Sequence, residues 1–170
     1  MMPEKAKRWF LEDAITDDLI ENEYDFIKYF DYQLIPQYKN IKYKTRIDIA
    51  VNYRISIGKY DKLEIECKQL KPYNIDYIIS GGINKFKTNK YAENSPIAGM
   101  LLYNTKDDIS TNIESLNCRI ETKISQSEQL SETDFLSNYQ YTYKSVHKRK
   151  NNRDLDLYSC VFDFIELIKS

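Results

Sequence analysis

The clearest alternation of apolar and polar side chains runs from Lys44 to Leu70, KTRIDIAVNYRISIGKYDKLEIECKQL. Such a two-residue period predicts two strands, Thr45 to Arg54 and Asp61 to Lys68, joined by a turn with Gly58 near its tip. Ile47, Ile49 and Val51 form the apolar face of the first arm, and Leu63, Ile65 and Cys67 that of the second. The opposite face carries Asp48 on one arm and Glu64, Glu66 and Lys68 on the other. Pairing as a hairpin centred on Ile57 sets Asp48 across from Glu66, and directly opposed residues stand about 4.5 to 5.5 Å apart at Cβ. Two carboxylates that close repel each other, and a divalent cation between them turns the repulsion into a site.

Elsewhere the pattern is helical or continuously apolar. Glu4 to about Asn22 has Ile15, Leu19 and Phe26 near helical spacing, with a further turn of helix through Phe30. Gln33 to Ile41 reads as a strand in which Pro36, lacking a donor, indicates an edge or a bulge. Asn74 to Tyr91 places Tyr77, Ile78, Ile83 and Phe86 at helical intervals around the Gly81-Gly82 pair. Each glycine costs about 1 kcal/mol of helix propensity relative to alanine, so close packing on the sheet is expected there. GGINK lacks the spacing of a phosphate-binding loop or dinucleotide fingerprint.

Ile97 to Tyr103, IAGMLLY, is apolar throughout and predicts a central strand covered on both faces. Lys106 to about Asn117 reads as a helix through Ile109, Ile113 and Leu116, followed by a polar loop or short exposed helix, SQSEQLSETD. Tyr139 to Val146 and Leu155 to Ile165 predict two last strands around the basic turn KRKNNR. The order is helix, three strands, helix, strand, helix, two strands. It predicts one α/β or α+β domain over residues 1–170, with a mixed sheet flanked by helices.

Composition narrows the chemistry. In 170 residues there are one histidine and three scattered cysteines, Cys67, Cys118 and Cys160, which argues against a zinc site or a disulfide framework. Together with the absence of an apolar leader-like run or membrane-length segment, this predicts a cytoplasmic protein that does not enter a membrane. The formal net charge is −1, so no global basic field attracts nucleic acid, but charge is unevenly spread. Acidic residues gather in the first helix and basic ones between Lys144 and Arg153. Lys85, Lys87, Lys144, His147, Lys148 and Arg149 are candidates for phosphate contacts, which fix position without reading sequence. Tyr139, Tyr141 and Tyr143 alternate on one strand, as base-stacking residues or as a half-buried face. A competing reading makes every charge run a solvated surface, the E-x-K of the second arm included.

With Asp48 in RIDIAV, Glu66-Cys67-Lys68 in LEIECKQL and Glu12 in EDAITDDLIEN, the chain resembles the PD-(D/E)xK nucleases, which share the restriction-endonuclease-like fold. Ile47 stands where that motif has its proline. The helix containing GGINKFKTNKYA, the strand IAGMLLY and the ending YKSVHKRK to LDLYSCVFDF look like bacterial members that work in restriction or anti-phage defence. The resemblance implies a Mg²⁺-dependent endonuclease acting on DNA, with Mn²⁺ able to substitute. Asp48 and Glu66 would ligate the metal together with the Cys67 backbone carbonyl. Lys68 would position the attacking water or stabilise phosphate charge. Glu12 would complete the site, with Asp13, Asp17, Asp18 and Glu21 as alternatives on the same helix. Glu64 reads as a supporting or surface residue. A homodimer is expected, since cutting both strands commonly takes two sites, and a defence-system partner protein is a further possibility. The alternative function is an inactive nuclease-like subunit that binds nucleic acid or serves assembly.

Overall fold

The two alternating stretches do pair, and their register centres on Ile57 as expected. A computed structural model of the chain describes residues 32–36, 39–40, 45–56, 59–136, 139–150 and 153–165. Its first strands are β1 (Tyr32–Pro36), β2 (Lys39–Asn40), β3 (Thr45–Arg46), β4 (Ile49–Ser56) and β5 (Lys59–Leu70). β4 and β5 run antiparallel with Ile49 opposite Ile65, Val51 opposite Leu63 and Tyr53 opposite Asp61, until the register shifts between Arg54 and Ser56. Ile57 and Gly58, at the expected tip, lie outside the described residues, as does the expected first helix with Glu12.

The first arm differs from the expected Thr45–Arg54 strand. It is interrupted at Ile47 and Asp48, where the chain bends, and Thr45–Arg46 pairs with Lys39–Asn40 in a separate ribbon. The interruption shifts the alternation by one residue. Ile47 is buried in the same cluster as Ala50, while Ile49 belongs to the cluster on the other face.

The remaining strands are β6 (Ile97–Asn104), β7 (Ser131–Glu132), β8 (Thr142–Lys148) and β9 (Asp154–Asp163). Together they make a mixed sheet of order β1-β4-β5-β6-β9-β8-β7, in which β5, β6 and β9 are mutually parallel and the other pairs antiparallel. Pro36 ends the edge strand β1, where a residue without a donor does least harm, and the apolar β6 is central.

The expected helix over Asn74–Tyr91 forms in pieces: a 3₁₀ turn Pro72–Asn74, α1 (Ile75–Ile78), a π turn Ile79–Ile83 and α2 (Asn84–Lys87). Both glycines sit in the π turn, and close packing explains them. A Cβ on Gly82 would stand 3.0 Å from Met100 Cε of β6, and one on Gly81 would meet the Tyr77 ring at 2.9 Å. α3 (Ile109–Lys123) is capped by Asp108, whose carboxylate accepts from the Thr111 amide at 3.1 Å. It continues beyond the expected Asn117 because Ile120 extends the buried stripe of Ile109, Ile113 and Leu116. These helices cover one face of the sheet, burying Ile78, Ile83, Phe86 and Leu116 against Leu70, Met100, Leu102 and Leu157. Each such side chain contributes about 1.5 to 3 kcal/mol of burial. No helix among the described residues is long and apolar enough to cross a membrane.

Candidate active site

Alternate side chains of β5 enter the helix-covered face, and among them are Glu64, Glu66 and Lys68. They are 2 %, 2 % and 3 % exposed, so the E-x-K is not a solvated charge pattern. Burying three ionisable groups on one strand is costly unless each is compensated, and the compensation defines the site.

Asp48 reaches this face from the bend before β4. Register alone would set it straight across from Glu66. The bend instead lets its Oδ2 accept the N–H of Cys67, the residue between Glu66 and Lys68, at 2.8 Å. Lys68 Nζ then lies 2.6 Å from Glu66 Oε1, 2.7 Å from the Cys67 carbonyl oxygen and 3.8 Å from Asp48 Oδ2. The three oxygens expected to hold a metal therefore converge on one point, marked by an ammonium.

The donor set fits a hard cation. Two carboxylates and a peptide carbonyl are oxygen ligands of the kind Mg²⁺ takes, and the buried Glu66 Oε2 accepts no hydrogen bond among the described residues. No three His, Cys, Asp or Glu side chains group to hold a metal among the described residues, since the third donor here is backbone. Burial pushes the Glu66 carboxyl up to about 7; the Lys68 ammonium offsets part of this and the Asp48 charge adds to it.

Lys85, expected as a phosphate contact, comes to the same carboxylate. Its Nζ is 3.8 Å from Glu66 Oε1 and donates to the Tyr91 hydroxyl at 2.7 Å, which in turn donates to the Arg46 carbonyl at 2.6 Å. Burial lowers the Lys85 ammonium below its ordinary pKa, against the pull of Glu66. Burial, with the Glu66 and Asp48 charges, holds the Tyr91 phenol far above its ordinary value. Tyr91 was not legible as a site residue: the sequence shows an aromatic at the end of a helical pattern and no sign that its hydroxyl meets Lys85.

The other basic candidates are elsewhere and largely engaged. His147, expected beside a basic loop, is fully buried in β8, its Nδ1 2.7 Å from Glu128 Oε2 and its Nε2 2.8 Å from Ser145 Oγ. Lys87 pairs with the same Glu128 oxygen. Arg149 is buried, donating to the carbonyls of Ala92 at 2.8 Å and Ser95 at 2.7 Å. Lys144 pairs with Asp156 at 2.7 Å, and Lys148 is exposed at the end of β8. The six basic candidates thus do not form one continuous cationic surface. Tyr143 is buried in the helix-side core with Tyr141 packed against it, and the Tyr139 hydroxyl donates to the Val161 carbonyl at 2.5 Å. Glu64, read as a supporting or surface residue, is buried: its Oε2 accepts the Ala92 amide at 2.6 Å, and its Oε1 pairs with Lys62.

No protein-family model, curated protein or solved structure matches the chain.

Proposed function

We propose that the protein is a Mg²⁺-dependent endonuclease that hydrolyses DNA phosphodiester bonds. The observation that carries this reading is the convergence of Asp48, Glu66 and the Cys67 carbonyl around the Lys68 ammonium, buried under the segment 72–87. Asp48, Glu66 and the Cys67 carbonyl would hold the cation, and Glu12 is the carboxylate assigned to complete the set. Bound there, Mg²⁺ supplies a Lewis acid and a water of lowered pKa. Asp48 also fixes this stretch of β5 through the Cys67 amide, so the carbonyl and the two flanking side chains are aimed by one hydrogen bond. With those oxygens engaged by a cation, the Lys68 ammonium would be available to the developing phosphate charge. The low exposure of Glu66 and Lys68 strengthens each of these interactions by keeping bulk water away.

Duplex DNA incubated with the purified protein and Mg²⁺ or Mn²⁺ tests this reading. Cleavage by wild type and its loss in Lys68→Ala are expected; equal trace cleavage by both would remove it. Action in restriction or anti-phage defence, as a homodimer or with a partner protein, belongs to the same proposal, and light scattering showing a strict monomer would count against the dimer.

A second reading, a catalytically inactive subunit that binds nucleic acid or serves assembly, is favoured by one feature. The buried Lys68 ammonium stands 2.6 Å from Glu66 Oε1 and by itself offsets the charge of that carboxylate. Salt-sensitive DNA binding that survives Glu66→Ala, with no cleavage under any metal, would select it.

A further inference from the structure

We propose that Lys85 is the phosphate-binding cation of this site and that Tyr91 is its positioning residue, holding the Lys85 ammonium off the Glu66 carboxylate. The proposal rests on the nuclease reading and extends it to how substrate charge is met.

The two lysines at Glu66 differ in access. The Lys85 side chain is 30 % exposed and that of Lys68 4 %, so a phosphate arriving from solvent meets Lys85 first. At 3.8 Å from Glu66 Oε1, Lys85 Nζ is beyond hydrogen-bond reach of the carboxylate, although opposite charges this close attract. The Tyr91 hydroxyl holds it there. That hydroxyl spends its proton on the Arg46 carbonyl, so toward Lys85 its oxygen can only accept. The Tyr91 ring lies 4.8 Å from the same ammonium, which adds a cation–π attraction.

The loop that delivers Tyr91 is built against strain. Asn89 and Ala92 have φ of 58° and 49°, the left-handed region, where a side chain costs roughly 1 to 2 kcal/mol. Flanking groups hold Ala92 in place: Glu64 accepts its amide, and Arg149 spans its carbonyl and that of Ser95. Phe86 packs edge-on to the Tyr91 ring at 5.4 Å between centroids. Two buried charged residues, Glu64 and Arg149, thus fix the loop that carries a third residue into the site.

If Tyr91 keeps Lys85 away from Glu66, removing its hydroxyl releases a second ammonium onto a metal ligand. Mn²⁺ binding by titration calorimetry and duplex DNA binding in Ca²⁺ then separate the roles. Tyr91→Phe is expected to weaken Mn²⁺ binding about 5- to 10-fold, because Lys85 competes for Glu66. Lys85→Ala should leave Mn²⁺ binding unchanged or tighter and weaken DNA binding about 10-fold, the loss of one charge-assisted contact. The double variant should bind Mn²⁺ as Lys85→Ala does, a non-additivity that a purely structural Tyr91 would not give. An unchanged Mn²⁺ affinity in Tyr91→Phe, a double variant as weak as Tyr91→Phe, or unaltered DNA affinity in Lys85→Ala overturns the proposal while the nuclease reading stands. Wild type that is folded and binds no Mn²⁺ removes both. Thermal unfolding reports whether Tyr91→Phe folds, and if it does not, the DNA affinity of Lys85→Ala decides alone.

Discussion

Lys85 and Lys87 lie two residues apart on α2, and each ends in a buried ionic cluster, yet the two clusters are of opposite kinds. At Lys87 the Glu128 carboxylate is met by both Lys87 and His147, and His147 is in turn held by Ser145. Burial pushes Glu128 up, but the hydrogen bonds from His147 and Lys87 outweigh it and its pKa lies below the ordinary value. At Lys85 the balance is reversed: burial dominates, Glu66 is pushed up to about 7, and Oε2 accepts no hydrogen bond among the described residues. A closed cluster ties the turn at Gln126–Glu128 and α2 to β8. An open one keeps acceptor capacity in reserve, which is how ionisable groups are arranged where they act on a ligand.

The comparison can be broken first at the closed cluster. Glu128→Ala leaves Lys87 and buried His147 without their shared acceptor and should cost about 3 kcal/mol in denaturant unfolding, with cleavage per folded molecule unaltered. A cost near zero would mean that the cluster holds nothing together.

The opposite pH dependences of the two carboxyls sharpen it. Glu66 is raised from its ordinary 4.5 to about 7, so between those values the folded state binds more protons than the unfolded one. Its contribution is therefore full below the ordinary pKa and is lost as pH rises through about 7, on the order of 3 kcal/mol in all, in metal-free buffer. Glu66→Gln should flatten that slope. Glu128 acts in the other direction, stabilising above its ordinary pKa and losing that contribution as acid protonates it. Stability measured across acid and neutral pH for Glu66→Gln and Glu128→Gln should show the two slopes removed separately.

The smallest effect concerns the wall of the open cluster. Gly81→Ala drives a methyl into the Tyr77 ring at 2.9 Å, and that ring lies 5.4 Å from the Lys68 ammonium. Gly82→Ala crowds the flexible end of Met100 at 3.0 Å and touches Lys68 Cγ at an ordinary 4.0 Å. Thermal unfolding should find Gly81→Ala destabilised by about 1 kcal/mol and Gly82→Ala within about 0.5 kcal/mol of wild type, since overpacking outweighs the gain in helix propensity only against the rigid ring.

Periodicity carried much of the fold. Alternation in 49–54 and 61–65 set the β4–β5 register, the apolar run 97–103 marked the central strand, and Ile109, Ile113 and Leu116 marked α3. Alternation failed at Asp48, because a bend that trades a ladder position for a bond to the Cys67 amide leaves no periodic trace. It also left open whether the Glu64–Glu66–Lys68 face is a site or a solvated surface, since polar residues on a strand alternate alike whether or not a helix covers them. His147 and Arg149 looked like nucleic-acid contacts for a related reason. Their partners Glu128 and Ala92 are 19 and 57 residues away, and local pattern reports nothing at that distance. Lys85 was singled out by its charge, but its partner Tyr91 lies in a loop whose left-handed residues, Asn89 and Ala92, leave no periodic trace.

The same substitution on the two sides gives the most direct test. Lys68→Met and Lys87→Met each replace a clustered ammonium with a side chain of similar length, and cleavage of duplex DNA in Mg²⁺ can be measured per folded molecule. The account predicts that Lys68→Met lowers the rate about 100- to 1000-fold, while Lys87→Met lowers stability and leaves the rate within about twofold of wild type. Equal rates in the two variants, whether both intact or both lost, would contradict it.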